Sequence, residues 1–345
     1  MSPKTFPFVS PDPGYQKDVW EEAQARWKRG RDIHLREVME YNAAKRAKEA
    51  GTATDEQETL LAGPVQSYSQ PRYTVLDVSQ RVVVDTETTS LEGGIHELAA
   101  RAIDATGKPL ANPLSIMARP SEEELAKAEA RNVPAGMTLE DWKAELRKRD
   151  PLSQHYEELK KYTAGKTLVG HNIVAFDLPK IEKEAGSLEE RTTIDTFHLA
   201  RLMQYRRGDQ GLERLAQRFG ILQPGQTEAH HALEDTALNV PVLSTLEHKL
   251  GQYSVRELDE MLAETQIRIG NQTVPITAGT KAVIYQARLY AQVREERGIP
   301  GDTPATRYGW PGQPQNPNLA PGDPLVQRAP GYKGPMQKLR NILPI

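Results

Sequence analysis

The run Arg81-Val82-Val83-Val84-Asp85-Thr86-Glu87 constrains this chain more than any other stretch. Three valines in succession read as a strand, and the chain leaves that strand through two acids set two residues apart. Residues two apart on a strand point to the same face, so Asp85 and Glu87 present their carboxylates together at its end. Two such charges side by side are costly unless something neutralises them. A divalent cation is one answer, since Mg²⁺ takes a few carboxylate oxygens and shares its other positions with water and phosphate. Taken alone, the same residues also describe an exposed strand end whose acids and threonines open a turn.

The patterns that follow supply the rest of a sheet. Ile95–Ile103 and Leu114–Ala118 read as antiparallel partners of the valine strand, and a long polar helical insertion comes next. Leu168-Val169-Gly170 reads as a short buried strand, Ala175–Ala185 as a helix, and Thr193-Ile194-Asp195 as a strand end. Leu212–Phe219 and Leu233–Leu250 have helical periodicity. Three strands followed by alternating helices and strands give an α/β fold with a mixed sheet flanked by helices, in a domain spanning 73–250.

Three other regions flank it. Residues 1–72 form an N-terminal helical extension and linker, in which a helix from Gln16 to about Ala50 carries Val19, Trp20, Ala23 and Trp27 at helical spacing, a stripe suited to a partner surface. Residues 251–298 form a small helical C-terminal region, with helices at Val255–Thr265 and Thr280–Arg297 around an Ile267–Ile276 hairpin or loop. Residues 299–345 are a Pro/Gly-rich tail that cannot bury enough apolar surface to fold alone.

The charge balance of 44 basic against 47 acidic residues excludes a dedicated polycationic coat, so any contact with a polyanion is local. The absence of cysteine excludes disulfides, zinc-thiolate sites and cysteine nucleophiles. No apolar run approaches the ~20 residues of a membrane span, and a soluble, cytoplasmic protein with no membrane partner is expected.

Two further segments carry chemistry-bearing residues. Val169-Gly170-His171-Asn172-Ile173-Val174-Ala175-Phe176-Asp177 runs from a strand into a helix, where Asp177 is either a helix cap or a ligand. His230-His231-Ala232-Leu233-Glu234-Asp235-Thr236 opens a later helix. On one continuous helix, residues five apart differ by about 140° in direction, so His230 and Asp235 share a centre only if His230 sits on the preceding loop.

With Asp85-x-Glu87, a His171-Asn172 to Phe176-Asp177 segment and a His230-x-Ala232-x-x-Asp235 helix start in one order, residues 80–248 resemble the DEDDh, or DnaQ-like, 3′→5′ exonucleases of the ribonuclease H-like superfamily. The second segment has one residue more than the family pattern, Ala175. Leu91-Glu92-Gly93-Gly94-Ile95 looks closest to the exonuclease X branch, and Ser90 stands where many members have glycine, with Gly93 and Gly94 expected to supply the flexibility.

The resemblance implies a ribonuclease H-like fold and two divalent ions, Mg²⁺ or Mn²⁺, held by Asp85, Glu87, Asp177 and Asp235. It implies His230 as general base, with His231 its competitor. A nucleic acid with a free 3′ end, single-stranded at that end, is the implied partner, releasing nucleoside 5′-monophosphates. Thr88 and Leu91 fall where the family touches the terminal nucleotide. Leu91 is then a wedge or, equally, a core residue under the turn. Asn172 joins this substrate set, as does Arg206, which with Arg201, Arg207 and Tyr205 forms either a phosphate-facing patch or a solvated helix end.

The expected substrate is DNA, in proofreading, repair or end-trimming, with RNA trimming as the alternative. A second alternative is an assembly component that docks a polymerase, clamp or other protein through the terminal extensions. The cluster Arg26-Trp27-Lys28-Arg29-Gly30-Arg31 is a nucleic-acid contact in one reading and a solvated helix face in the other.

Overall fold

A computed structural model describes residues 17–62, 72–134, 136–188, 192–205, 210–222 and 231–301. Two expected site residues, Arg206 and His230, lie outside these, as do the Trp20 side chain and the tail from residue 302. The chain runs α1 (Lys17–Glu49), α2 (Asp55–Ala62), β1 (Gln80–Thr88), β2 (Ile95–Asp104), β3 (Leu114–Met117), α3 (Glu122–Ala126), α4 (Leu139–Arg147), α5 (Tyr156–Thr163) and β4 (Thr167–Gly170). It continues through α6 (Asp177–Glu184), β5 (Thr193–Asp195), α7 (Thr196–Leu202), α8 (Leu212–Arg218), α9 (Ala232–Leu250), α10 (Val255–Ala263), β6 (Gln266–Ile269), β7 (Gln272–Pro275) and α11 (Ala278–Glu296).

The sheet has the order β3-β2-β1-β4-β5, with β2 antiparallel to β1 and to β3, and β4 and β5 parallel to β1 and to each other. This is the mixed, ribonuclease H-like arrangement expected, except that Leu114–Met117 pairs with β2 and not with the valine strand, whose other edge is taken by the parallel β4. The valine strand sits at its centre, and its side chains divide between two cores. Val83 belongs to the layer of α7, α8, α9 and α11, while Val82 and Val84 belong to the layer of α5 and α6. The C-terminal ends of β1, β4 and β5 therefore open on one edge of the sheet.

Helix α9 lies on the Val83 side and is anchored at the opposite end of β1. Arg81 Nη2 donates to Glu247 Oε1 at 2.6 Å, and Arg81 Nε donates to the Val78 carbonyl at 2.7 Å, with both side chains 2% exposed. Burial pushes the Glu247 carboxyl up, and the Arg81 guanidinium opposes this.

The N-terminal stripe packs on the chain itself. Val19, Ala23 and Trp27 are buried in the same core as α11, and Arg26 bridges to Glu296 while Arg297 bridges to Glu22 and Asp18. The partner surface expected for this helix is thus supplied by α11. Two guanidinium groups of the 26–31 cluster are also engaged. Arg26 holds Glu22 and Glu296, and Arg31 stacks on Trp27 and faces Asp77 at 3.8 Å. The segment left open as hairpin or loop is a hairpin, β6 on β7. Among the described residues, no helix is long and apolar enough to cross a membrane.

Candidate active site

Strand β1 and helix α9 bring three carboxylates together. Oxygens of Asp85, Glu87 and Asp235 all lie within 4.8 Å of one another. The strand period puts the first two on one face, as expected, and that is the face on which α9 packs. Asp235 sits in the first turn of α9, where the helix dipole favours a negative charge.

A fourth acid, not anticipated, joins this face. Glu97 on β2 stands directly opposite Glu87 in the antiparallel register and is buried. Like charges directly opposite one another destabilise a sheet pair. His231 meets that charge, with Nδ1 3.4 Å from Glu97 Oε2. An acid inside the run Ile95–Ala100, whose other residues apart from His96 are apolar, was the available signal. Only the register reveals that it faces Glu87.

Asp177 comes from the other side of the sheet. It occupies the first turn of α6, whose Ile181 packs with Val82 and Val84, and its Oδ1 accepts a 2.6 Å bond from the Thr86 hydroxyl. It is not a member of the three-carboxylate group. Burial pushes its carboxyl up to about 7, with the Thr86 bond pulling down and the charge of Asp195 adding to the rise. The sequence order thus yields three carboxylates on the α9 side and one beside them, joined to the strand through Thr86.

The segment before Asp177 explains that placement. Asn172 takes φ +63°, and its amide and that of Val174 donate to the buried Asp195 carboxylate at 2.9 and 3.2 Å. Ala175 and Phe176 amides then bond the Asn172 carbonyl, which absorbs the extra residue in one turn and delays α6 to Asp177 rather than Ala175. Asp195 also caps α7 through the Phe197 and His198 amides, and its own amide donates to Thr280 on α11. It is a junction of three elements. Burial lowers His171 to about 4, so its ring is neutral, and it lies edge-on to Phe197 at 5.7 Å. The Asn172 Oδ1 is buried with no hydrogen-bond partner among the described residues.

The turn after β1 is held from below. Register shifts between Glu87 and Thr88, and the Thr88 hydroxyl donates to the Ser90 carbonyl at 2.8 Å. Lys180 on α6 donates to the Gly93 carbonyl, and Glu184 accepts from the Ile95 amide. Gly93 and Gly94 are required here by close packing, not by flexibility. A Cβ on Gly93 would stand 2.2 Å from the Thr89 hydroxyl oxygen, and one on Gly94 would stand 2.7 Å from the Pro120 Cβ. Neither has a positive φ. Leu91 crowns the turn and is 70% exposed, which removes its reading as a core residue.

The donor chemistry fits a hard divalent cation, because oxygens of three carboxylates converge on one point. His230 and Arg206 lie outside the described residues. Thr88 and Asn172 flank the acids through the turn after β1 and the turn before α6.

Residues 82–243 match the family model described as Exonuclease, RNase_T. No curated protein matches. Among solved structures, the chain is similar to Exonuclease X in complex with 5′ overhanging duplex DNA, at 22% identity and a TM-score of 0.36, over 52% of this chain and 98% of that one. It is similar to E. coli Exonuclease I in complex with a dA16 oligonucleotide at 14% identity and 0.37, over 53% of this chain and 45% of that one. It is also similar to the nuclease domain of 3′hExo, a DEDDh family member bound to rAMP, at 12% identity and 0.40, over 50% of this chain and 92% of that one.

Proposed function

We propose that residues 82–243, which match the exonuclease family model, form an exonuclease domain of the DnaQ-like, ribonuclease H-like family, and that the protein removes nucleoside 5′-monophosphates from the single-stranded 3′ end of DNA, using two Mg²⁺ or Mn²⁺ ions. The observation that carries this reading is the convergence of Asp85, Glu87 and Asp235 within 4.8 Å. Asp177, whose Oδ1 accepts from the Thr86 hydroxyl, would be the fourth ligand of the proposal.

Bound cations supply charge stabilisation at the phosphate and Lewis-acid polarisation of its oxygens. The chain supplies the rest. His230 takes the proton of the attacking water as general base, while His231 is engaged with Glu97 at the start of α9. Leu91, held out by the tightly packed turn, supports the terminal base as a wedge. Thr88 and Asn172 border the terminal nucleotide, and Arg206 meets a backbone phosphate. A cytoplasmic role in proofreading, repair or end-trimming fits this chemistry. The packing of α1 on α11 takes up one of the features that motivated a docking role, the α1 stripe; the 254–298 region and the tail are the other two.

The test is degradation of DNA and RNA oligomers, single- and double-stranded, carrying a label at either end, with Mg²⁺ and with chelator. A 3′ label is released at once as mononucleotide, a 5′ label descends as a ladder, and chelator stops both. Faster loss of matched RNA than of DNA would move the assignment to RNA trimming. Endonucleolytic fragments, or cleavage unaffected by chelator, would overturn it.

A further inference from the structure

On the same edge of the sheet as the acids, where α7 leaves β5, lies a cavity of about 560 Å³, lined by Phe197, Arg201, Gln210, Gly211 and the tip of the β6–β7 hairpin from Arg268 to Asn271. It combines elements of different origin. Phe197 and Arg201 belong to α7, which starts at the end of β5, while the hairpin lies beyond the matched family region. Gly270 takes φ +58° at the first central position of a two-residue turn, the arrangement of a type II′ hairpin, which fixes where the tip points.

Among the described residues the lining has one sign of charge: it includes two arginines and no carboxylate. Arg201 makes one long contact, 3.5 Å, to the Gln210 side-chain oxygen, and Arg268 makes one, 3.3 Å, to the Gly270 carbonyl. Neither has a carboxylate partner among the described residues. By contrast, Arg26, Arg81, Arg147, Arg288 and Arg297 each hold an acid. Phe197 adds a half-buried aromatic wall, and its ring meets His171, the first residue of the turn that leads to Asp177.

We propose that this pocket is a binding site for one nucleotide unit of the substrate strand, upstream of the bond being cut. Arg201 and Arg268 hold its phosphate, and Phe197 packs against its base. The volume lies in the range of small-ligand sites of roughly 300–1,000 Å³, which admits a nucleotide and excludes a duplex. An acid-lined catalytic edge repels a polyanion until cations are bound, and a positive pocket on the same edge of the sheet draws the strand in and sets its direction. Stacking on an aromatic ring is indifferent to base identity, as strand degradation requires. The proposal rests on the nuclease reading for the direction of the strand, but not for the binding itself.

The experiment uses the full chain with Arg268→Ala, Arg268→Lys and Arg201→Ala. Binding of a labelled oligothymidylate of about eight nucleotides is measured by anisotropy in chelator across a salt series, and cleavage of the same oligomer and of a dinucleotide is measured in Mg²⁺. One phosphate contact on a single strand contributes a slope of about 0.7 in log affinity against log salt. Arg268→Ala and Arg201→Ala are each expected to lose about that much, while Arg268→Lys keeps it. The KM of Arg268→Ala is expected to rise about fivefold or more for the longer oligomer, with a smaller rise for the dinucleotide. Unchanged salt slopes in both alanine variants, or equal KM changes at both lengths, would overturn the pocket. A wild-type protein that binds with the expected slope and cuts neither oligomer would keep the pocket and overturn the nuclease reading.

Discussion

The two ends of β1 meet the same helix with opposite electrostatic outcomes. At the N-terminal end, Arg81 and Glu247 close a buried ion pair, and the charge of each is answered by the other. At the C-terminal end, Asp85, Glu87 and Asp235 converge with a fourth acid, Glu97, across the register. Both pairings come from α9 running along one face of the strand. The difference separates a charge pair that serves the fold from a gathering of like charges that suits a cation, which is the reading proposed for this site.

The sharpest break of this comparison is at the open end. Asp85→Ala is expected to reduce 3′→5′ cleavage below detection in Mg²⁺ and in Mn²⁺, with little loss of stability, as checked by gel assay beside a urea melt. Full activity in the purified variant would remove the acid cluster from the chemistry. At the closed end the expectation reverses. Arg81→Met leaves Glu247 buried and unanswered and is expected to lower stability by about 3–5 kcal/mol in a urea titration, while the double variant Arg81→Met/Glu247→Met recovers most of it.

Smaller effects sharpen the contrast. His230→Ala is expected to slow single-turnover cleavage by ~10²-fold while leaving Mg²⁺ affinity nearly intact by calorimetry. Asp235→Asn is expected to raise stability in chelator by about 1 kcal/mol, because it relieves repulsion, and to abolish the stabilisation that Mg²⁺ gives the wild type. A destabilised Asp235→Asn protein would mean that the cluster is internally balanced after all.

The smallest effect concerns the support beneath the Leu91 turn. Burial pushes the Glu184 carboxyl up to about 7, so the folded state keeps a proton that the unfolded state loses. Stability then falls as pH rises from the ordinary carboxylate range to about 7 and is level above it. Because Glu184 is partly exposed, Glu184→Gln is expected to recover only about 1 kcal/mol at pH 8 and nothing at pH 4, the difference between two denaturation series.

Local signals carried the elements whose evidence is local. The valine run marked β1 as a strand, and strand periodicity aligned Asp85 with Glu87; its central place came from pairing with the parallel β4, a pairing that no local signal announced. Helical spacing marked α9 and the Val19, Ala23 and Trp27 stripe. What the sequence left unread depends on distant partners. Glu97 becomes part of the site through cross-strand register, and the start of α6 is delayed because Asp195, on another strand, binds the amides of Asn172 and Val174. The stripe on α1 was visible but its counterpart was not, because α11 lies more than two hundred residues away in the chain.

That last contact has a practical side. An investigator wishing to isolate the nuclease would cut near residue 72, where the composition changes, or at the edges of the matched region, 82–243. Either cut strips Val19, Ala23 and Trp27 from α11, and the second also removes α11 from β5, where Gly279 packs against the Thr193 carbonyl. Loss of a buried tryptophan alone costs about 3–5 kcal/mol, enough to unfold many domains, and the uncovered apolar surface invites aggregation. The excised fragment would keep every acid of the site and lose the solubility needed to use them.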